Sequence, residues 1–150
     1  MKTARADANV RLTPEDAVAL WCDTDRWASF VEGFGHLLER SPSWPAVEER
    51  VIWESTPGGR GRVTEKVVER EPDRFSTMVF EEALAGRQTL RAVRAPEGAR
   101  VELSLEYTLT KYGPFNFVAD ALFIRRALGD SLRRTLFRFG IEAEEEAGLR

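Results

Sequence analysis

The sequence predicts an α+β domain in which an antiparallel sheet and a long C-terminal helix share one core. Side chains alternate with a period of two from about residue 36 to 110, while helical spacing marks short stretches before this region and a long one after it. Strands and helices are thus segregated along the chain, which favours an α+β arrangement over a parallel α/β one.

The opening stretch "TARADANVRL" alternates weakly and reads as a first strand. In "TPEDAVALWCD" a helix follows, with Thr13 as its cap, Pro14 in its first turn and Asp16 where a capping-box acid would stand. "TDRWASFVEGF" spaces Trp27, Phe30 and Val31 as a second short helix would, ending near Gly33 or Gly35. "VEERVIWES" and "GRVTEKVVE" flank "TPGGRG" and make a hairpin, because proline and glycine supply the conformations of a tight connection. "RFSTMVFEE", "RQTLRAVR" and "ARVELSLEYTLT" complete a meander of about five or six strands, with turns at "EPD" and "APEG". Pro114 to Phe139 reads as one helix of roughly 39 Å, long enough to cover the sheet. The acidic end "EAEEEAGLR" is expected to fray.

Bulk properties narrow the classes of function. At 150 residues, with 43% hydrophobic and 31% charged side chains, the chain suits one domain with a real core. A net charge of -3 removes any long-range attraction to a phosphate backbone, so nucleic acid is not an expected partner. One cysteine, no secretory apolar run and no membrane-length apolar stretch give the expectation of a cytoplasmic protein with no integral membrane association. His36 is the sole histidine, so a zinc site is not expected, and no cofactor is. "PGGRGR" joins two strands and lacks the Lys-Ser/Thr ending of a phosphate loop. Cys22 reads as packing.

Taken in order, "AVALWCDTDRWASFVEGF", "VIWESTPGGRGRVTEKVVEREPDRFS", a hairpin and a long terminal helix resemble the START-like (SRPBCC) polyketide cyclase, dehydrase and lipid-transport superfamily from about Ala4 to Glu146. The matching features are Asp23 with Trp27 and Phe30, Trp53 before Gly58, Gly59 and Gly61, and the Pro72 turn; a second tryptophan is commoner where Phe30 stands. The resemblance implies a helix-grip fold over residues 1–150, with a curved antiparallel sheet wrapped around the C-terminal helix. It also implies a cavity between sheet and helix for a small hydrophobic or amphipathic partner, and it brings no fixed catalytic set.

The residues themselves suggest what lines such a cavity. At about 100° per residue, Phe117, Ala121, Ile124, Leu128, Leu132, Leu136 and Phe139 share an arc of about 120°, and Arg125 falls inside it. A guanidinium there needs a carboxylate, water or a route to solvent. If Val63 and Val67 point inward, Glu65 does so too and becomes its candidate partner. Trp53 follows Val51 inward, and Tyr107 follows Leu105. Arg125 also has a structural reading, as a snorkelling or salt-bridged residue, and Glu65 a solvent-facing one. Whether Phe75 and Val79 or Met78 and Phe80 face the cavity is open, as is the choice between Thr89 with Arg91 and Leu90 with Ala92. Glu65, Tyr107 and Arg125 would suit a cyclase or dehydratase as base, donor and oxyanion stabiliser. A third reading concerns Phe115, Phe123 and Phe137 beside Arg126, Arg133 and Arg134, a mixture able to dock on an anionic membrane or a protein, or simply to form helix pairs with Asp130.

Overall fold

The computed structural model describes residues 2–110 and 117–149, with side chains from residue 122 onward in the last helix. Its elements are β1 (Lys2–Val10), α1 (Pro14–Cys22), a 3-10 turn (Thr24–Arg26), α2 (Trp27–Phe30), β2 (Phe34–Arg40), β3 (Arg50–Ser55), β4 (Arg62–Glu71), β5 (Arg74–Phe80), β6 (Leu84–Ala95), β7 (Gly98–Leu109) and α3 (Phe117–Gly148). The strands form one antiparallel sheet in the order β1-β7-β6-β5-β4-β3-β2. Consecutive hairpins generate β2 to β7, and β7 pairs along the whole of β1. The sheet is curved and grips the long helix, the helix-grip architecture.

Local chemistry accounts for most boundaries. Thr13 Oγ1 accepts from the Asp16 amide at 3.2 Å, with Pro14 opening α1. Asp23 Oδ1 accepts from the Asp25 amide at 3.1 Å and starts the 3-10 turn. The second helix is shorter than "TDRWASFVEGF" suggests: only Trp27–Phe30 is α-helical, and the chain extends again from Phe34. Sequence alternation misses β2 for a physical reason. It is an edge strand with two register shifts against β3, so its side chains do not keep a period of two.

The inner face of the sheet is read directly from burial. Ala4, Ala6 and Val10 of β1, Val51 and Trp53 of β3, Val63, Glu65 and Val67 of β4, and Leu103, Leu105 and Tyr107 of β7 all point inward. On β5 the buried alternation is Phe75, Thr77 and Val79, with Phe80 exposed; on β6 it is Leu90 and Ala92. Both choices left open by the sequence are thereby decided.

The helix covers this face unevenly. Between Leu122 and Ser131 only Gly129 is buried, whereas Leu132, Thr135, Leu136, Phe139, Glu142 and Ala143 all are. Phe139 meets Trp21 and Phe30 edge-on, at ring separations of 5.5 and 5.1 Å. A second aromatic chain runs from Trp53 through Phe34 and Trp27 to Trp44 and Phe75. Trp27 Nε1–H donates to the Trp21 carbonyl at 2.8 Å, satisfying the one polar atom of a buried indole.

The acidic end is ordered helix rather than a frayed tail. Arg26 donates to Glu142 at 2.5 Å and to Glu146 at 3.0 Å, and Ala143 lies against the core. The acids that sequence reading assigns to a loose end thus face a fixed cation contributed from before α2.

Since Phe139 joins helix, α1 and α2 at one point, Phe139→Ala should cost about 3–5 kcal/mol of unfolding free energy. Urea denaturation measures this, and a loss near that of an exposed substitution would show the junction to be dispensable.

Candidate ligand site

Cross-strand register builds the site. Val51, Glu65, Val79, Gly86 and Tyr107 stand opposite one another across five strands, and paired residues share a face. This row puts Glu65 at one side and Tyr107 three strands away, about 14 Å between backbones. Between them lie only a valine and a glycine. At Gly86 a Cβ would stand 2.3 Å from the Glu106 carbonyl oxygen, so the backbone approach there admits no side chain.

Glu65 is a buried carboxyl on the inner face of the sheet, 6% exposed. Two diagonal neighbours bond it: Trp53 Nε1–H donates to Oε2 at 2.8 Å and the Thr77 hydroxyl donates to Oε1 at 3.0 Å. Burial pushes its pKa above the ordinary carboxylate value of 4.5, against the opposing pull of the Trp53 bond, the Arg60 charge and the Thr77 bond. Desolvation wins over those partners. When the carboxyl is protonated, the Thr77 hydroxyl can reverse and accept, while the indole can only donate.

Arg60 is held above this pair by the loop between β3 and β4. Ser55 Oγ accepts from the Gly61 amide at 2.8 Å, and Gly61 takes φ 79°, a conformation suited to glycine. The guanidinium carbon then sits 5.2 Å from the Trp53 ring centroid, and Nε bonds Glu81 at 2.5 Å. Trp53 therefore has a cation on its face and a carboxyl at its N–H.

A cavity of about 30 Å³ opens beside these groups, lined by Trp53, Arg60, Glu65, Gln88, Ser131 and Thr135 among others. That is room for about one water-sized group. At the other end of the row, the Tyr107 hydroxyl is fully buried and has no hydrogen-bond partner among the described residues. Burial raises its pKa, and the nearby Arg125 charge opposes the rise.

The residues expected to line a site divide into groups. Trp53 and Glu65 meet at the cavity. Val67 and Leu105 are buried in the sheet face but do not reach it, and Tyr107 lies at the far end of the row. Ile124 and Leu128 are half-buried over the less covered part of the sheet. The side chains of Phe117 and Ala121 lie outside the described residues, as does Phe115.

Arg125 requires correction. It is exposed, lining a groove with Thr3, Ala4 and Arg5 rather than entering the interior, and Glu65 takes Trp53 and Thr77 as its partners instead. Helical angle alone placed it within the apolar arc, but the turns preceding Leu132 are not sunk into the core, so the side chain leaves past the β1 edge. Thr77, Gln88, Arg60 and Thr135 were not singled out from the sequence. Parity from Phe75 would have found Thr77; Arg60 was hidden inside a loop read only for its glycines.

Cys22 is buried, with its thiol pushed up to about 12 chiefly by desolvation, and Arg70 Nη1 donates to its sulfur at 3.5 Å. It packs rather than reacts. His36 lies exposed on β2, away from the cavity lining.

With this geometry in place, comparison with known proteins is direct. The family model described as "Polyketide cyclase / dehydrase and lipid transport" matches residues 1–144. The chain belongs to this family. Comparison with curated protein sequences finds no match. Among solved structures, this cyclase/dehydrase-family protein is similar to TTHA0849 of Thermus thermophilus, with a TM-score of 0.79, 17% identity, and 97% of this chain and 99% of that one covered. It is also similar to the di-domain ARO/CYC StfQ from the steffimycin biosynthetic pathway: TM-score 0.76, 18% identity, 97% of this chain and 51% of StfQ. A third neighbour is norcoclaurine synthase from Thalictrum flavum, in a complex with dopamine and hydroxybenzaldehyde, with a TM-score of 0.61, 15% identity and coverage of 87% and 83%. At these identities the structural likenesses establish the fold of the family member.

The raised pKa of Glu65 has a signed consequence for stability. Above its ordinary value of 4.5 the unfolded chain releases this proton while the folded chain retains it, so Glu65 makes stability fall as pH rises through the interval up to its folded pKa. Relative to wild type, Glu65→Gln should therefore gain stability as pH increases across that interval. Urea midpoints of both proteins at a series of pH values test this; a pH-independent difference would show that the carboxyl ionises normally.

Proposed function

We propose that this protein binds a small, largely apolar molecule between the sheet and the first half of α3, seating one polar atom of that molecule beside Glu65. The observation that carries the reading is convergence: a buried carboxyl, an indole, a guanidinium, an amide and a hydroxyl surround one small cavity in an otherwise apolar interior. Trp53 and Glu65 would hold the polar atom. Val67 and Leu105 would support the floor, and Tyr107, Ile124 and Leu128 would flank the apolar body, with Phe117 and Ala121 assigned to the same wall by helical spacing.

Arg125 would meet a polar end of the molecule at the outer margin, near the Tyr107 hydroxyl, which has no partner among the described residues. The cavity of about 30 Å³ is smaller than such a ligand, so binding would displace the half-buried Ile124 and Leu128 and shift the stretch of helix that carries them. Norcoclaurine synthase supports the reading by analogy, since that protein of similar fold holds dopamine and hydroxybenzaldehyde.

A catalytic reading has one specific observation in its favour. Burial holds the Glu65 proton to higher pH than usual, which suits a general acid facing a substrate carbonyl or hydroxyl, and StfQ is a family-like protein described as an ARO/CYC. Binding comes first in either reading. A Glu65→Gln variant that binds as wild type but turns over no substrate would select catalysis.

Native mass spectrometry of the protein purified from its host should show a non-covalent small-molecule adduct that denaturing solvent releases. Loss of the Glu65 hydrogen bond in Glu65→Ala should weaken binding about tenfold, as judged by tryptophan fluorescence with 1-aminoanthracene as probe. An adduct-free native mass together with no saturable probe binding would overturn the proposal.

A further inference from the structure

Where α3 passes β1 the surface carries a second feature, separate from the cavity. Arg5 of β1 and Arg125, Arg126 and Arg133 of α3 line one open groove of about 590 Å³, together with Thr3, Ala4, Leu122 and Gly129. Asp130 pairs with Arg133, but no carboxylate ion pair reaches Arg5, Arg125 or Arg126 among the described residues. These cations gather on a chain of net charge -3, so their concentration on one face runs against the overall balance.

Apolar side chains accompany them. Leu122 is 62% exposed, Phe123 74%, Phe137 72% and Ile141 50%. At about 100° per residue, these four positions and Arg126 and Arg133 fall within roughly 100° of one another around the helix, opposite the buried side that carries Phe139. Large apolar residues interleaved with arginines, along a helix with its other side fixed to a core, match the pattern of an interfacial helix. No helix among the described residues is long and apolar enough to cross a membrane, so the contact would be lateral.

We propose that this face docks the protein on an anionic membrane surface, with Leu122, Phe123 and Phe137 entering the headgroup layer and Arg126, with Arg5 beside it in the groove, meeting lipid phosphates. The side chains commit to a membrane rather than a soluble anion because exposed apolar residues continue along this face about two turns beyond the arginine groove, through Phe137 to Ile141. A small phosphate would use the groove and leave the stripe bare. The acidic positions Glu144 and Glu145 mark where the docking face ends, one turn past Ile141.

Flotation of the full chain with phosphatidylcholine vesicles, with and without phosphatidylglycerol, tests the proposal. Expected are binding only to the anionic vesicles, weakening as salt is raised, and a roughly 25-fold loss in Arg5→Gln/Arg126→Gln, about five-fold for each arginine. Phe123→Ser, at a mostly exposed position, should also weaken binding and serves as a second test if the double variant does not fold. Arg62→Gln, on a distant strand, should bind as wild type. No flotation, equal flotation with pure phosphatidylcholine, or full binding by the folded double variant and by Phe123→Ser would overturn the proposal. Binding of inorganic phosphate without vesicle binding would overturn it in favour of a soluble-anion site.

Discussion

A carboxyl group enters the apolar side of a sheet only at a cost, and the interior of this protein is arranged around one that does. Glu65 points inward because strand parity leaves it no alternative between Val63 and Val67. Trp53 and Thr77 stand at the two diagonals from which a side chain can reach it, and the loop held by Ser55 and Gly61 brings Arg60 over the indole. Trp53 and Thr77 are placed by the sheet, and Arg60 by the loop that joins β3 to β4. Together they reduce the desolvation of the carboxyl without cancelling it, which leaves a proton held more tightly than in water.

The long helix has two halves with different physics. From Leu132 to Ala143 it is fastened by the aromatic junction at Phe139 and, beyond it, by Arg26 on Glu142 and Glu146. Between Leu122 and Ser131 the described side chains are half-buried or exposed. This stretch is held more lightly than the one after it, and the Tyr107 hydroxyl, near Arg125, has no hydrogen-bond partner among the described residues. The same division places Arg126 and the exposed Phe123 where an external surface can reach them. Cavity and outer face are thus two sides of one element.

The framework was legible in the sequence because period and punctuation are local properties. Alternation in "ARVELSLEYTLT", the Thr13 cap and the glycine-rich turn at "TPGGRG" each act within a few residues, and the family resemblance followed the order of these elements. β2 escaped because bulges at an edge break alternation, and the helical character of the acidic end escaped because its partner, Arg26, is more than a hundred residues away in sequence. Parity likewise indicated that Glu65 and Trp53 could face inward, since each follows valines of evident direction.

By itself, then, the sequence determined the class of fold, the order of elements and the parity of its clearest strands, all consequences of short-range backbone geometry. Tertiary structure alone decided that Glu65 answers to Trp53 and Thr77, that β5 and β6 turn Thr77 and Gln88 inward, and that Arg125 leaves the core. Those outcomes depend on inter-strand register and on how far along its length the helix touches the sheet. Neither is encoded in any single segment, because each is fixed only when distant surfaces compete for the same buried space.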